Sequence, residues 1–273
     1  MNQLIIRQET PADHYAVEEL TREAFWNTFW DKGQQICDEP LLVSKLRKSE
    51  AFVPELNLVA ELDGAIVGHI IYSISKIVCD DGTTHKTLTF GPLSVHPSCQ
   101  GNGIGAALMR HSFDIARDMG HRAVIIFGHP NYYPRVGFRP AAEFGITTAD
   151  GGNFDAFMAL PLYEGALDGI CGKYYLDAVY EQLTQEEALE FDKKFPPKAF
   201  HTPAGIDVLL DRLEPVARAA VESLGFHTVA LFKTRSLREI SALEGIDEKA
   251  IDTIRKVLQE NGIVWDEGRT HGH

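Results

Sequence analysis

Residues 93–138 read LSVHPSCQGNGIGAALMRHSFDIARDMGHRAVIIFGHPNYYPRVGF, and this stretch decides the fold. Its pattern predicts a strand ending at Val95, a glycine-rich turn, a helix over about Ile104–Met119 and a second strand at Ala123–Phe127. Apolar residues recur at helical spacing behind the turn, and Gly120 supplies a stop before the next apolar run. The stretch therefore predicts a strand–turn–helix–strand unit.

The turn of this unit has glycine at alternate positions, Gly101, Gly103 and Gly105. Glycine lets backbone N–H groups approach an anion closely, and the following helix points its positive N-terminus at the same place. We therefore expect the turn to bind a phosphate group. The residues also fit the relaxed dinucleotide fingerprint, but the next strand ends without the carboxylate that would hold a ribose hydroxyl. A dinucleotide site and a structural turn without a ligand stay open as alternatives.

Three predicted strands, Leu56–Glu61, Ala65–Ser75 and Thr87–Val95, precede the turn. Short Asp-Gly pairs separate them, so we expect an antiparallel meander. A Gly-Pro dipeptide interrupts the third strand, and because proline lacks an N–H group we expect a bulge or splay just before Leu93. An ordinary edge bulge is the alternative interpretation.

The composition of the whole chain narrows the function classes. Its 273 residues suffice for two domains at roughly 150 residues each. The formal net charge of −13 argues against a broad surface for nucleic acids. The four cysteines lack metal-ligand spacing, and no apolar run approaches the ~18 residues of a membrane span. We expect a cytoplasmic protein with no metal site and no membrane partner.

The order of these features resembles the GNAT superfamily of N-acetyltransferases. The resemblance rests on the Gln-x-x-Gly-x-Gly turn that begins at Gln100 and on the Tyr-x-x-x-Gly-Phe motif at Tyr133–Phe138, and it extends from the N-terminus to about Tyr174. A Gly-Ala-Leu-x-Gly segment, Gly165–Gly169, resembles the end of the domain in a bacterial branch of the family. The resemblance implies an α/β fold of the α+β type, in which helices flank a mostly antiparallel, splayed sheet.

The resemblance also implies an enzyme that transfers the acetyl group of acetyl-CoA, its cosubstrate, to an amine of a small molecule or peptide. In the family the splayed strand leaves backbone groups free for the pantetheine arm, and the turn anchors the pyrophosphate. The residues so implied are Leu93, Ser94 and Val95 on the strand, and Gln100, Gly101, Asn102, Gly103, Ile104, Gly105 and Ala106 in the turn. A catalytically silent sensor that only binds acyl-CoA is the alternative.

Tyr133 occupies the family position of the acid that protonates the departing thiolate. A phenol can serve at neutral pH because its pKa lies at about 10. Packing against the helix is the alternative role, and Tyr132 is a second candidate. The general base carries no clear signal, since Thr89 stands where some relatives have a glutamate. His96, His129 or a water chain could replace it, although each histidine could also be a surface or capping residue.

The acceptor site carries only a weak signal. In the family the segment between the first two helices lies beside it. The aromatic residues of that segment could line the acceptor site or belong to the core: Phe25, Trp26, Phe29 and Trp30.

From about Gly205 the pattern changes to helix. One apolar stripe is predicted over the first part of this region, with the members Val208, Leu209, Leu213, Val216, Ala220 and Leu224. The segment Leu213–Ile263 resembles the C-terminal domain of the bacterial RNA polymerase alpha subunit, including a helix-hairpin-helix near residues 243–258. This resemblance implies a nucleic-acid-associated regulator as a further alternative.

The hairpin departs from the nucleic-acid-binding pattern. Asp247 replaces its second glycine, Glu244 and Glu248 flank that position, and nine Lys and Arg stand against twelve Asp and Glu from Gly205 onward. Phosphate contacts supply most of the affinity of such modules, so we expect no DNA binding, but a module for packing, partner binding or homodimerisation. The expected domains are the acetyltransferase domain over 1–174, a linker over 175–204, the helical domain over 205–265 and a tail over 266–273.

Overall fold

The computed structural model describes residues 4–26, 36–198, 205–226, 228–235, 237–261 and 263. Contacts divide the chain into two compact units, the first ending at Pro197 and the second beginning at Lys198. Phe29, Trp30 and the predicted tail lie outside the described residues. Within those residues, no helix is long and apolar enough to cross a membrane.

The first unit holds one sheet and its flanking helices. Its elements in chain order are β1 (Leu4–Gln8), α1 (His14–Phe25), α2 (Glu39–Leu46), β2 (Leu58–Leu62), β3 (Ala65–Val78), β4 (Thr84–Val95), α3 (Ile104–Asp118), β5 (Ala123–Phe127), β6 (Arg139–Pro140), β7 (Ile146–Thr147), β8 (Phe157–Pro161), β9 (Gly172–Tyr175) and α4 (Gln185–Asp192).

The strands pair in the order β1-β2-β3-β4-β5-β8-β6, and β9 pairs with β3 and with β7. The β4–β5 and β7–β9 pairs are parallel, and the other pairs are antiparallel. The predicted fold class is therefore confirmed: helices flank a mixed, mostly antiparallel sheet. The predicted meander corresponds to β2, β3 and β4, whereas β6, β7 and β9 were not predicted.

Helix α3 packs closely on one face of the sheet at Gly68 of β3. A Cβ atom on Gly68 would lie 2.9 Å from Ile104 Cγ2, closer than real Cβ atoms approach their neighbours, and 3.0 Å from Leu108 Cδ1, so these side chains would have to shift. Farther along, the buried Tyr72 hydroxyl lies 2.7 Å from Ser112 Oγ. These contacts hold the N-terminus of α3 beside the end of β4.

A buried ion-pair cluster joins α1, α2 and the end of β1. Arg47, just after α2, donates from Nη1 to Glu18 Oε1 at 2.6 Å and from Nε to Glu9 Oε2 at 3.1 Å. The Glu9 side chain is fully buried, and those of Glu18 and Arg47 are 7% exposed. Each buried charge has a partner, which such a site requires if it is to be stable. The cluster fixes the two helices on the face opposite α3.

Residues 175–197, most of the expected linker, belong to the first unit. Thr184 caps α4 by accepting a hydrogen bond from the Glu187 N–H at 3.2 Å. Arg22 of α1 donates from Nε and Nη2 to the carboxylate of Asp192, at 2.6 and 2.9 Å. The domain boundaries themselves stay a prediction.

The second unit is helical, with α5 (Asp207–Leu210), α6 (Pro215–Glu222), α7 (Leu237–Ser241) and α8 (Glu248–Glu260). Leu209, Phe232 and Ile254 lie in its core and are fully buried. The prediction of one continuous stripe is wrong, because Val208 is 38% and Val216 is 67% exposed. Pro215 is the first residue of a new helix, so the residues on its two sides do not share one helical period.

Candidate active site

The sheet opens between β4 and β5. These parallel strands are paired only at Leu88 and Val124, although β4 continues to Val95 and β5 to Phe127. The β3–β4 register also shifts between Ile70 and Tyr72, opposite the Gly-Pro dipeptide of β4. Along the described chain, the β4 edge beyond Leu88 therefore has no strand partner on its β5 side. The predicted splay is present, and it exposes backbone groups to a ligand.

The glycine turn lies directly after this open edge. Gly101 and Gly103 have φ of +81° and +79°, a conformation that glycine adopts without steric cost. Gly103 precedes α3, so the N–H groups of Ile104, Gly105 and Ala106 belong to the first helical turn, where no preceding carbonyl can accept them. The turn therefore offers several donors and the positive helix end to an anion.

Two side chains tie the turn to the strand. Gln100 donates from Nε2 to the carbonyl of Val95 at 3.1 Å, and Asn102 donates from Nδ2 to the carbonyl of Cys99 at 3.2 Å. These side chains thus shape the turn, and their backbone groups remain the candidates for anion binding. The Ser94 side chain points to the face of the sheet opposite α3, where its hydroxyl donates to Thr21 Oγ1 of α1 at 3.0 Å. The predicted strand and turn residues are neighbours in the structure.

Tyr133 packs beside the opening. Its ring centroid lies 6.0 Å from that of Phe90 on β4 and 5.6 Å from that of Phe138. Gly128 permits this position, because a Cβ atom there would lie 2.2 Å from Tyr133 Cε2. Burial raises the pKa of Tyr133 to about 12, and the neighbouring Tyr132 adds to the rise. The phenol therefore keeps its proton at neutral pH and can donate it.

Tyr132 faces a different part of the site. Its hydroxyl lies 3.1 Å from the place that a Cβ on Gly105 would occupy, so it borders the first turn of α3. The two tyrosine rings are 5.1 Å apart and nearly perpendicular. Tyr133 is thus the one next to the β4 strand, and Tyr132 the one next to the glycine turn.

The candidates for the general base have structural contacts of their own. His96 Nδ1 lies 2.8 Å from Ser98 Oγ and caps a short helical turn, and His129 Nδ1 accepts from the Asn131 N–H at 3.3 Å. Thr89 is buried on the face opposite α3, where the Tyr174 hydroxyl approaches it.

Only some of the residues expected at the acceptor site lie within the described part of the chain. Trp26 is 2% exposed and lies under the Arg22 guanidinium at 4.3 Å, so within the described residues it belongs to the core. The sequence interpretation missed another aromatic group at the end of β5, formed by Phe127, Phe154 and Phe157. The only sequence signal for it was an apolar strand ending in a large aromatic residue.

Comparison with known proteins agrees with this geometry. Residues 18–138 match the profile of the Acetyltransferase (GNAT) family. This part of the chain is therefore similar to GNAT acetyltransferases. Over 103 residues it is 39% identical to the uncharacterized N-acetyltransferase YjhQ of Escherichia coli (strain K12), covering 37% of this chain and 55% of that protein. The chain therefore spans about half the length of this relative.

Two solved structures resemble this chain over nearly their own full length. The crystal structure of YhbS from Escherichia coli in complex with CoA has a TM-score of 0.58 and 25% identity, covering 67% of this chain and 95% of that one. A GNAT family acetyltransferase from Brucella melitensis in complex with acetyl-CoA has a TM-score of 0.52 and 28% identity, with coverage of 66% and 99%. These findings support the prediction that the chain is an N-acetyltransferase, and they leave the helical second unit unassigned.

Proposed function

We propose that this chain transfers the acetyl group of acetyl-CoA to an amine of a small molecule or peptide. The observation that carries the proposal is the gap between β4 and β5, which opens beside both the glycine turn and Tyr133. The open strand edge fits the amide groups of pantetheine, and the turn fits a pyrophosphate. The related structures that contain CoA and acetyl-CoA support the choice of cosubstrate.

Each predicted residue then has a part in the reaction. The backbone of Leu93, Ser94 and Val95 aligns the pantetheine arm, and the backbone of Gln100–Ala106 holds the pyrophosphate. Binding energy far from the reacting carbon thereby positions the thioester. A backbone N–H near Leu93 stabilises the charge that develops on the carbonyl oxygen, a contribution of about 3–4 kcal/mol in acyl transfer.

Proton transfer completes the mechanism. The amine nitrogen attacks the carbonyl carbon, the carbon–sulfur bond breaks, and Tyr133 donates its proton to the sulfur. Its raised pKa keeps the proton in place until the thiolate forms. The proton that the amine loses passes to a base or to water, and His129 and His96 remain candidates.

A calorimetric titration with acetyl-CoA, CoA and NAD tests the proposal. We expect micromolar binding of both coenzyme A species and none of NAD. Binding of NAD without CoA would favour a dinucleotide site and refute the proposal. Thiol release across a panel of amines separates an enzyme from an acyl-CoA sensor, because a sensor would bind acetyl-CoA and release no thiol with any amine.

For the second unit we propose packing, partner binding or homodimerisation rather than DNA binding. Asp247 caps α8 by accepting from the Ala250 N–H at 2.8 Å, so a carboxylate occupies the hairpin tip. Lys249 lies 3.0 Å from Glu214, which neutralises one of the few nearby cations. We also propose a helix-hairpin-helix in this unit and a cytoplasmic location for the protein. Fluorescence anisotropy of a labelled DNA duplex with the full chain tests the proposed lack of DNA binding, since salt-sensitive binding at low micromolar protein would contradict it.

A further inference from the structure

Two neighbouring phenylalanines at the end of β5 are half exposed. Phe127 is 46% and Phe154 is 52% exposed, and their rings stack with centroids 5.8 Å apart and an angle of 16° between planes. Phe127 also stacks on the buried Phe157 at 4.9 Å and 20°. Single exposed apolar residues are ordinary on a protein surface, but a stacked pair that continues into the core forms an exposed apolar patch of the kind that binds ligands.

The pair lies on the face of the sheet that is opposite α3. Phe127 belongs to the side of β5 that packs with Phe157 and Tyr174, whereas Val124 and Ile126 face α3. The glycine turn opens α3, so the phosphates of acetyl-CoA would bind on the α3 side. An acceptor must then reach the thioester through the gap from the other face, where the phenylalanines lie.

Phe127 lies on the β5 side of the gap. It ends β5 three residues beyond Val124, the residue that pairs with Leu88 of β4. The Tyr174 hydroxyl spans the same gap, donating to the Ile125 carbonyl on β5 at 3.3 Å and approaching Thr89 on β4. Phe127 therefore lies next to the buried Tyr174 ring, at the edge of the opening on the face opposite α3.

We propose that Phe127 and Phe154 form the acceptor subsite and that this subsite takes a primary amine carrying an aromatic ring. The inference rests on the proposed acetyltransferase function and names its substrate class. A planar aromatic group would extend the existing stack of rings and cover the exposed faces of the two phenylalanines. A polyamine or a sugar would leave those faces exposed to solvent. The net charge of −13 also favours the approach of a cationic amine.

The test compares phenethylamine with spermidine in a thiol-release assay at saturating acetyl-CoA. The variant is Phe154→Ala, because Phe154 lies in a turn before β8 and its removal leaves the strands intact. The matched control is Tyr163→Ala, an aromatic residue of similar exposure, 42%, beyond the other end of β8. Calorimetry on the same samples measures acetyl-CoA binding and phenethylamine binding to the CoA complex, and sedimentation measures the oligomeric state.

We expect phenethylamine to be the better acceptor, and Phe154→Ala to raise its KM about tenfold, which equals the loss of one aromatic pair. The kcat, the acetyl-CoA affinity and the Tyr163→Ala control should stay within twofold of wild type, and Phe154→Tyr should restore the KM. Normal acetyl-CoA binding with spermidine as the better acceptor, or equal KM values for both alanine variants, would overturn this inference and leave the proposed function standing. A Phe154→Ala change in oligomeric state with an unchanged KM would also overturn it, and absent acetyl-CoA binding would overturn both.

Discussion

Replacing the glycine at each end of α3 with alanine distinguishes a loss of ligand binding from a loss of stability caused by backbone strain. Gly103 precedes the helix and Gly120 follows it, with φ of +79° and +82°. A Cβ atom at either position would meet no heavy atom within 4 Å. Alanine in this left-handed region costs about 1–2 kcal/mol, so Gly103→Ala and Gly120→Ala should lower the stability by similar amounts.

Only Gly103→Ala should weaken the binding of acetyl-CoA. Relief of its strain reorients the N–H groups at the start of α3, and each lost hydrogen bond to a charged phosphate costs about 1.5–3 kcal/mol. The dissociation constant should rise about 10- to 100-fold. Calorimetric titration measures the affinity, and thermal unfolding verifies that both variants lose similar stability. Equal acetyl-CoA affinity for the two variants would refute the phosphate role of the turn.

Three further predictions concern catalysis and stability. Tyr133→Phe should lower kcat with little change in acetyl-CoA affinity, because a general acid acts in the transition state. The control Tyr132→Phe should keep most of the kcat. An unchanged rate for Tyr133→Phe, measured when chemistry is limiting, would remove Tyr133 from the mechanism. Arg47→Met should lower the free energy of unfolding in urea by about 3–5 kcal/mol, because it leaves buried carboxylates unpaired. Arg218→Met, which removes an exposed ion pair, should lower it far less, and equal losses for the two variants would contradict the buried cluster. Burial raises the pKa values of Tyr133 and Tyr174 to about 12, above the value of about 10 in the unfolded chain. The stability that these phenols contribute should therefore be complete below pH 10 and should fall as the pH rises toward 12. A constant midpoint of urea unfolding across that range would contradict this burial effect.

The sequence predicted the elements whose signals are local. Helix α3 begins at Ile104 and β5 spans Ala123–Phe127, as expected, because a glycine turn, an amphipathic period and a short apolar run each act within a few residues. The gap before Leu93 was predictable for the same reason, since proline removes a ladder donor locally.

Features that depend on distant partners could not be predicted. Strand β9, Gly172–Tyr175, has little periodicity of its own and forms by pairing with β3 and β7. The predicted helical stripe is wrong because it spans two separate helices, α5 and α6, whose packing depends on distant partners. The exposed pair of Phe127 and Phe154 brings together residues from a strand and a later turn, a proximity that only the β5–β8 register creates.

A crystal structure of the protein with bound CoA tests the central claim most directly. The account predicts that the pyrophosphate accepts hydrogen bonds from the backbone of Gln100–Ala106, that the pantetheine arm pairs with Leu93–Val95 in the gap between β4 and β5, and that the sulfur lies within hydrogen-bond reach of the Tyr133 hydroxyl. Density for CoA at another surface, with the gap and the glycine turn empty, would contradict it.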